Sequence, residues 1–427
     1  MNRRGNKILR YQEAPRRRRG NIVVNVFDET VANPIDEAQV DIFGVNNAGE
    51  ELQVESLVTN ISGQTEEIAL DAPPVEYSLT PQDENRPFST YTVRISAPDF
   101  ETAVINGVEI FDTTTAIQNV NLAPKIATPV APHIINISEN TLWGDFPPKI
   151  PEEETKPLPP PTGFVVLDKV VIPEFIVVHD GPPDAYAQNY WVPFKDYIKN
   201  VASSEIYSTW PTQTIRANVL AILSFTLNRV FTEWYRGQGK DFTITSSTAF
   251  DQKFSYGRNI FTEIANVVDE IFTNYITREG ILQPLFSQYC DGKRVSCPTW
   301  LSQWGSAALG EQGMNYLNIL KNYYGNIYID TAPIVSGVPV SYPGFTLQIG
   351  STGTPVRTIQ NQLNSISNNF PAIPKLRVDG IYGEQTAESV RAFQRIFSMP
   401  VTGVVDFATW YRISNIFVAV TKLATLI

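Results

Sequence analysis

The 427-residue sequence predicts a multidomain α+β protein: an N-terminal all-β sandwich, a central α-rich α+β domain and a C-terminal three-helix module. Segments that alternate apolar and polar residues fill positions 21–122, and apolar residues at helical spacing dominate positions 186–335. A proline-rich stretch separates these two regions. Hydrophobic residues make up 43% and charged residues 18% of the chain, so its domains can each bury a hydrophobic core.

The first 20 residues form a basic leader or tail, with eight Arg or Lys side chains against Glu13. The chain as a whole has a formal net charge of −11, so its remainder is acidic and argues against nucleic acid as a partner. Only Ile8 and Leu9 stand where a secretory signal would need about 7–15 apolar residues. Two interpretations stay open, a disordered tail and a removable leader with a protease-sensitive run at Arg16–Arg19.

Residues 21–122 are expected to form the sandwich, because short alternating segments recur there with turn residues between them. The clearest of these segments are Asn21–Phe27, Gln39–Phe43, Tyr91–Ile95 and Thr115–Leu122. The layout resembles the carboxypeptidase-regulatory-like β-sandwiches, which implies an architecture and no particular chemistry.

Residues 123–185 are expected to be a connector, because prolines punctuate them at 147, 148, 151, 157 and 159–161. Proline removes a backbone donor and favours extended chain, so the stretch predicts a semi-rigid spacer between domains. Apolar runs within it, Phe164–Leu167 and Phe175–Val178, can still add a strand to a neighbour. No stretch of the chain approaches the roughly 20 consecutive apolar residues of a membrane span.

Residues 186–335 are expected to be helix-rich, since apolar side chains recur there every three or four residues. The predicted helices are Phe194–Tyr207, Thr212–Arg236, Asn259–Tyr275 and Ser306–Tyr323.

The last unit, 340–427, contains an Asp379-Gly-x-x-Gly-x-x-Thr386 core between two helical segments, then a Phe393-Gln394 pair. These pieces resemble the three-helix peptidoglycan-binding family found at the ends of many wall hydrolases. Gly380 and Gly383 are expected to allow a tight turn with positive φ. The resemblance implies a module that binds peptidoglycan through a fold to which Asp379, Gly380, Gly383, Thr386, Phe393 and Gln394 contribute.

The central region carries a Ser204-Glu205 pair before a Trp210-Pro211 turn and a long helix. Later pieces follow in order: Asp251-Gln252-Lys-Phe-Ser-Tyr256-Gly and Leu301-Ser302-Gln303-Trp304-Gly. Over about 186–328 these resemble the stage II sporulation protein D family. The resemblance implies Glu205 as the catalytic residue. It implies substrate contacts from Ser204, Asp251, Gln252, Tyr256, Ser302, Gln303 and Trp304, although Tyr256, Gln303 and Trp304 suit a core equally well.

The chain departs from that family at two points. The family's arginine in the long helix is Leu223 here, and its Gly-Gly pair is Asp291-Gly292. Some members bind zinc near this point through Cys and His, but this chain offers only Cys290 and Cys297 there. Zinc usually takes three or four such ligands, so no metal or other cofactor is expected. A local disulfide and two reduced thiols both remain open.

In combination, the three regions resemble the germination-specific cortex-lytic enzymes of clostridia. That resemblance implies a precursor deposited in the spore outside its core and cut by a subtilisin-like protease at germination. It also implies a lytic transglycosylase that acts on cortex peptidoglycan. Two alternatives stay open, a non-catalytic wall-binding or coat protein and a muramidase that uses water.

Glu205 is expected to lie on or beside an apolar helix face, because Ile198, Val201 and Ala202 stand at helical spacing to it. Burial there would raise the pKa of its carboxyl and keep the acid form near neutral pH. A lytic transglycosylase needs one such carboxyl, whereas a hydrolase normally needs two. Asp196 lies more than two turns away and is a poor second carboxylate, so Asp251 is the predicted candidate for that role.

Overall fold

The computed structural model describes residues 18–29, 33–45, 49–125, 132–157, 165–167, 170–335, 343, 345–397, 399–421 and 424–426. Most of the basic leader, 1–17, lies outside these residues, as does most of the second proline run. The chain forms two compact units, Met1–Ile135 and Asn136–Ile427. The five-part division of the sequence given above stays a prediction. Among the described residues, no helix has the length and apolar character needed to cross a membrane.

The first unit is all-β, as its alternating sequence predicts. In one sheet, β1 lies between β7, which runs parallel to it, and the antiparallel β4. The other sheet has the order β3-β2-β5-β6-β8. Alternate residues of β1, namely Ile22, Val24 and Val26, are fully buried, so one face of the strand supplies core. The strands are β1 Arg19–Asp28, β2 Gln39–Val45, β3 Glu51–Val58, β4 Ile68–Asp71, β5 Ser89–Ser96, β6 Ala103–Ile110, β7 Thr115–Leu122 and β8 His133–Asn136.

The second unit begins with residues 136–157, which we call the strap. The strap is not the spacer that its prolines predict, because it packs against the domain that follows. The Asn140 side chain donates to the carbonyls of Ser203 and Ile206, and the Gln288 amide bonds the backbone of Ile150 and Glu152. Proline removes donors from this segment, and side chains of the domain satisfy the backbone groups that remain.

The strap is followed by short strands that include the second apolar run of the predicted connector. Phe175–His179 pairs with Asn189–Pro193 on one side and Ile244–Thr245 on the other, which confirms that this run adds a strand. The strands are β9 Val165–Leu167, β10 Ile172–Pro173, β11 Phe175–His179, β12 Asn189–Pro193, β13 Ile244–Thr245, β14 Ile260–Phe261, β15 Asn274–Thr277, β16 Tyr289–Cys290, β17 Leu301–Ser302, β18 Tyr328–Thr331 and β19 Ile334–Val335.

The helices pack around α2, which is buried along almost its whole length and contacts all four of its helical neighbours. The α2 helix ends at Phe231, five residues earlier than predicted. The predicted helix Ser306–Tyr323 is two helices, because Gly313 adopts a left-handed φ of 83° between them. The helices are α1 Phe194–Glu205, α2 Thr212–Phe231, α3 Thr262–Ile271, α4 Gln303–Glu311 and α5 Tyr316–Tyr324.

The C-terminal module contains the three predicted helices, α6 Thr354–Ser367, α7 Glu384–Ile396 and α8 Phe407–Thr421, followed by β20 Ala424–Leu426. β20 pairs with β9, so the first apolar run of the predicted connector also forms a strand. The Trp410 ring meets the Trp191 ring of β12 edge to face, with 6.1 Å between centroids. The multidomain α+β class with a C-terminal helical module is therefore confirmed.

Candidate active site

Glu205 is the last residue of α1 and lies at the buried end of that helix. Ile198, Val201 and Ala202 are fully buried on α1, as their spacing predicts. Tyr197 is fully buried as well, and the four side chains fix the rotation of the helix against the core. The Glu205 side chain is only 3% exposed. The chain becomes extended at Ile206, so the carboxyl stands where the helix stops and the Trp210-Pro211 turn begins.

Three neighbours surround the Glu205 carboxyl. The backbone N–H of Lys253 donates to Oε1 at 2.6 Å. Gln303, the first residue of α4, donates from Nε2 to the Glu205 carbonyl at 3.1 Å and to Oε2 at 3.4 Å. The hydroxyl of Tyr289 lies beside the carboxyl but makes no hydrogen bond of good geometry within the described part of the chain. The carboxyl is thus held in place and keeps hydrogen-bonding capacity for a ligand.

The carboxyl opens into a cavity of about 360 Å³, a size typical of ligand sites. Its wall comes from five parts of the sequence: the strap, the end of α1, the loop at Thr248, the segment that begins at β16 and the start of α4. The lining residues are Thr141, Asp145, Phe146, Pro147, Pro148, Lys149, Glu205, Thr248, Tyr289, Cys290, Asp291, Arg294, Val295 and Gln303.

Burial raises the pKa of the Glu205 carboxyl above its usual value. The Lys149 ammonium, the Lys253 N–H, the Tyr289 hydroxyl and the Lys253 charge all act in the opposite direction, but they do not outweigh burial. Burial also lowers the pKa of Lys149, although Glu205 and Asp251 favour its charged form. A carboxyl of this kind holds its proton to a higher pH than a surface glutamate does, as general acids require.

A disulfide between Cys290 and Cys297 closes the loop that forms one wall of the cavity. Of the two open interpretations of these cysteines, the local disulfide is therefore correct. Within the loop, Arg294 reaches the strap and donates to the carbonyls of Leu142 at 2.8 Å and Trp143 at 2.6 Å. The loop therefore holds the strap at the cavity. Among the described residues, no group of three His, Cys, Asp or Glu side chains is arranged to hold a metal ion.

Asp251, the predicted second carboxylate, is fully buried and already committed to other groups. Its oxygens accept from Arg229 Nε at 2.7 Å, from the Tyr235 hydroxyl at 2.6 Å, and from both the N–H and the hydroxyl of Thr245. Arg229 in turn forms a two-bond ion pair with Glu152 of the strap. Asp251 does not line the cavity, so its geometry is that of a structural ion pair.

The remaining predicted substrate residues divide between core and surface. Gln252 is buried, accepting from Tyr197 and Thr226, and Ser302 caps α4 by accepting from the Gly305 N–H. Ser204 and Trp304 are buried and stand outside the cavity wall. Tyr256 is 37% exposed and stacks on Tyr190 with centroids 4.6 Å apart, also away from the cavity. Among these predicted residues, the structure brings only Gln303 to Glu205.

In the C-terminal module, the motif residues build two similar loops, each held by a buried glutamine. Gln360 donates to Asp379 and accepts from the Gly380 N–H, and it also reaches Thr386. Gln394 does the same with Thr402 and Gly403 in the next loop. Gly380 has the predicted positive φ of 76°, but Gly383 has a φ of −94° and begins α7 instead. Phe393 is fully buried on α7. Asp379, Gly380, Thr386, Phe393 and Gln394 therefore support the fold of the module.

Sequence reasoning missed Lys149 and Tyr289, which line the cavity, and Arg229, which pairs with Asp251 outside it. Lys149 stands in a proline-rich segment that has no periodicity, and Tyr289 precedes a cysteine outside any matched motif. For Arg229 a signal existed, since an arginine among the apolar residues of a helix that is buried along its length requires a carboxylate partner.

Residues 352–413 match the peptidoglycan binding domain family. Among curated proteins, no match to the chain was found. Several solved structures are similar to parts of this chain. The SleB N-terminal domain is 26% identical over 17% of this chain and 93% of that one, with a TM-score of 0.15. A catechol 1,2-dioxygenase mutant of Acinetobacter radioresistens is 16% identical over 28% of this chain and 58% of that one, with a TM-score of 0.19.

Transthyretin from Sparus aurata is 16% identical over 26% of this chain and 95% of that one, with a TM-score of 0.16. Nothing about the activity of the chain follows from these three overlaps. The family match covers α6, α7 and the first part of α8, and it includes both glutamine-held turns, one between α6 and α7 and one between α7 and α8. The C-terminal module is therefore a peptidoglycan-binding domain, and it associates the chain with the bacterial cell wall.

Proposed function

We propose that the second unit cleaves the glycan strands of spore cortex peptidoglycan as a lytic transglycosylase, with Glu205 as its single acid and base. Glu205 gives its proton to the glycosidic oxygen, and the bond from that oxygen to C1 of the muramic acid breaks. The carboxylate then takes the proton of the same sugar's 6-hydroxyl while that oxygen bonds to C1. The product is a 1,6-anhydro ring, the proton returns to Glu205, and no water is consumed.

The observation that carries this proposal is the buried Glu205 carboxyl at the wall of an open cavity. Burial favours the protonated carboxyl, which is the form that starts the reaction. Gln303 and the Lys253 N–H orient the group, and orientation of an acid within hydrogen-bond reach contributes as much as its pKa does. The peptidoglycan-binding domain on the same chain supports the choice of substrate.

A hydrolytic muramidase is the second candidate, because Asp145 and Asp291 also line the cavity. A hydrolase usually has its second carboxylate about 5–9.5 Å from the acid. The Asp291 oxygens accept from the N–H groups of Lys293, Arg294 and Val295, which commits them to the disulfide loop. Asp145 is exposed on the strap and forms the only other candidate in the described wall. These features favour the mechanism with one carboxyl.

Incubation of the purified chain with purified cortex peptidoglycan tests the activity itself. We expect soluble glycan fragments to appear with time and in proportion to protein. If protein from which the first unit has been removed binds the wall but releases nothing, the chain is a wall-binding protein and the proposal fails.

We expect truncation after about residue 340 to weaken attachment to insoluble wall by about 10²-fold, because the second binding contact of a tethered pair is lost. Pelleting with purified wall measures this. Cleavage of short soluble glycans is the control, since it depends on Glu205 and not on local concentration. Unchanged pelleting would mean that the module has another role in this chain.

We also propose that the chain is a precursor held inactive by its first unit and activated by a subtilisin-like protease, in the spore and outside its core. A tethered domain acts at roughly millimolar effective concentration, so even weak docking would keep a site closed. The comparison is between the full chain and a chain beginning at Asn136, where the second compact unit starts. We expect the shorter chain to release cortex fragments at least about tenfold faster. Equal rates would leave the first unit as a passive domain.

A further inference from the structure

Lys149 of the strap reaches into the same cavity as Glu205, although 56 residues separate them in the sequence. Its ammonium donates to the carbonyl oxygen of Asp251 and lies 4.8 Å from the centre of the Tyr289 ring and 5.2 Å from that of Phe225. The residue is only partly buried, but its charged end lies among these rings. The fold thus brings a cation from the strap to the floor of the proposed active site.

The salt bridges near this ammonium distinguish Glu205 from the other carboxylates around it. The charged groups that act on Lys149 are Glu205, Asp251, Arg229 and Glu152. Asp251 and Glu152 both form salt bridges with Arg229, at 2.7 and 2.6 Å. Lys156 adds a second salt bridge to Glu152 at 3.0 Å. Among the described residues, Glu205 forms no salt bridge. Of these three carboxyls, it is therefore the one without a direct ion-pair partner when it is ionised.

In the proposed reaction, Glu205 exists as a carboxylate between its two proton transfers. Its negative charge then needs a compensating positive charge nearby. A buried carboxylate without a compensating charge is costly. Of the groups that lower the pKa of Glu205 against the effect of burial, the Lys149 ammonium acts most strongly, ahead of the Lys253 N–H, the Tyr289 hydroxyl and the Lys253 charge. An ammonium near the carboxyl but not paired with it directly can stabilise the anion and leave the remaining lone pairs of its oxygens free to accept from the sugar.

We propose that Lys149 is a positioning residue for Glu205, supplied by the strap as the counter-charge of the carboxylate that forms during the reaction. This inference rests on the proposed function, since it assigns Lys149 a role in the same proton transfers. The strap then contributes to the site as well as to packing, because it supplies Lys149 to a site whose Glu205 and Gln303 come from the motifs of the central domain.

The first test is the pH dependence of glycan cleavage by Lys149→Met, Lys149→Arg and Lys156→Met. Without the ammonium, the Glu205 carboxyl keeps its proton to higher pH, so the alkaline limb of the profile should move up by about one pH unit. The maximal rate should fall about tenfold, because the carboxyl is then a weaker acid. Lys149→Arg, which keeps the charge, should leave the limb in place.

Lys156→Met is the matched control, since Lys156 is a second lysine of the strap whose ammonium lies over an aromatic ring, 3.9 Å from the centre of Phe286, away from the cavity. It should leave the alkaline limb where it is. An unmoved limb in Lys149→Met, or an equal shift in Lys156→Met, would reduce Lys149 to an anchor of the strap. If Lys149→Met does not fold, Lys149→Gln replaces it in the same comparison.

The second test needs no activity and therefore separates this inference from the proposed function. At pH 7, Glu205→Gln should raise the melting temperature of the Lys149→Met protein by about 2–4 °C more than it raises that of the unaltered chain. Such a difference means that the two charges are coupled in the folded protein. Additive melting temperatures would overturn the inference, whereas absent glycan cleavage with this coupling intact would overturn only the proposed function.

Discussion

Glu205→Gln should release fragments from peptidoglycan about 10²–10⁴ times more slowly than the unaltered chain, because it removes the carboxyl that we propose exchanges a proton with the glycosidic oxygen. The amide has nearly the same shape as the carboxyl, so the bond from the Lys253 N–H and the packing of α1 can persist. Release of reducing or anhydro ends from purified cortex measures the rate. A circular dichroism spectrum like that of the unaltered chain shows that the fold is kept.

Asp145→Asn is the matched control for this prediction, since Asp145 lines the same cavity with an exposed carboxylate. If one carboxyl performs the reaction, this substitution should change the rate by less than about threefold. A loss as large as that of Glu205→Gln would identify a second essential carboxylate and favour the muramidase. Full activity in Glu205→Gln would remove Glu205 from the mechanism altogether.

The same carboxyl gives a pH dependence of stability whose sign is fixed. Burial raises the folded pKa of Glu205 above its unfolded value of about 4.3. Its contribution to stability is therefore fully present below that value and is lost as pH rises through the folded pKa. Glu205→Gln should then lose less stability than the unaltered chain between about pH 4 and pH 8. Denaturant unfolding at several pH values measures the difference.

A chain beginning at Leu158, which lacks the strap, should not fold cooperatively, whereas a chain beginning at Asn136 should. Removing Glu152 leaves the guanidinium of Arg229 with one carboxylate in place of two, and breaking a buried ion pair costs about 3–5 kcal/mol. The side chains of Gln283 and Gln288 lose their bonds to the strap backbone, at about 1–3 kcal/mol for each buried group left unpaired. These losses approach the whole stability of a typical domain, about 5–15 kcal/mol.

Thermal melting of the two truncated chains, followed by near-ultraviolet circular dichroism, checks this prediction. Glu152→Gln in the intact chain isolates the ion pair and should lower the stability by about 3–5 kcal/mol. If the chain beginning at Leu158 melts as sharply and at the same temperature as the one beginning at Asn136, the strap is dispensable. The predicted spacer would then be the better description of this segment.

Local patterns in the sequence predict part of the fold and of the site, whereas contacts between distant segments do not follow from them. The α1 helix and the burial of Glu205 follow from apolar spacing within a dozen residues, and the module follows from loops whose turn residues are specific. The cavity does not follow, because Lys149 reaches the cavity of Glu205 only through the tertiary path of a segment that prolines make irregular. Asp251 and Ser302 were predicted to bind substrate from their motif positions. The structure shows that an ion pair and a helix cap use those side chains.

The most direct measurement of the central claim is the mass of the muramic acid ends in fragments released from purified cortex. If Glu205 acts alone and the 6-hydroxyl attacks C1, every new end should be a 1,6-anhydro sugar, lighter by one water than a hydrolysed end. These ends should disappear in Glu205→Gln. New ends that carry the added water, and an oxygen isotope from labelled solvent, would contradict the account and require a second carboxylate at this cavity.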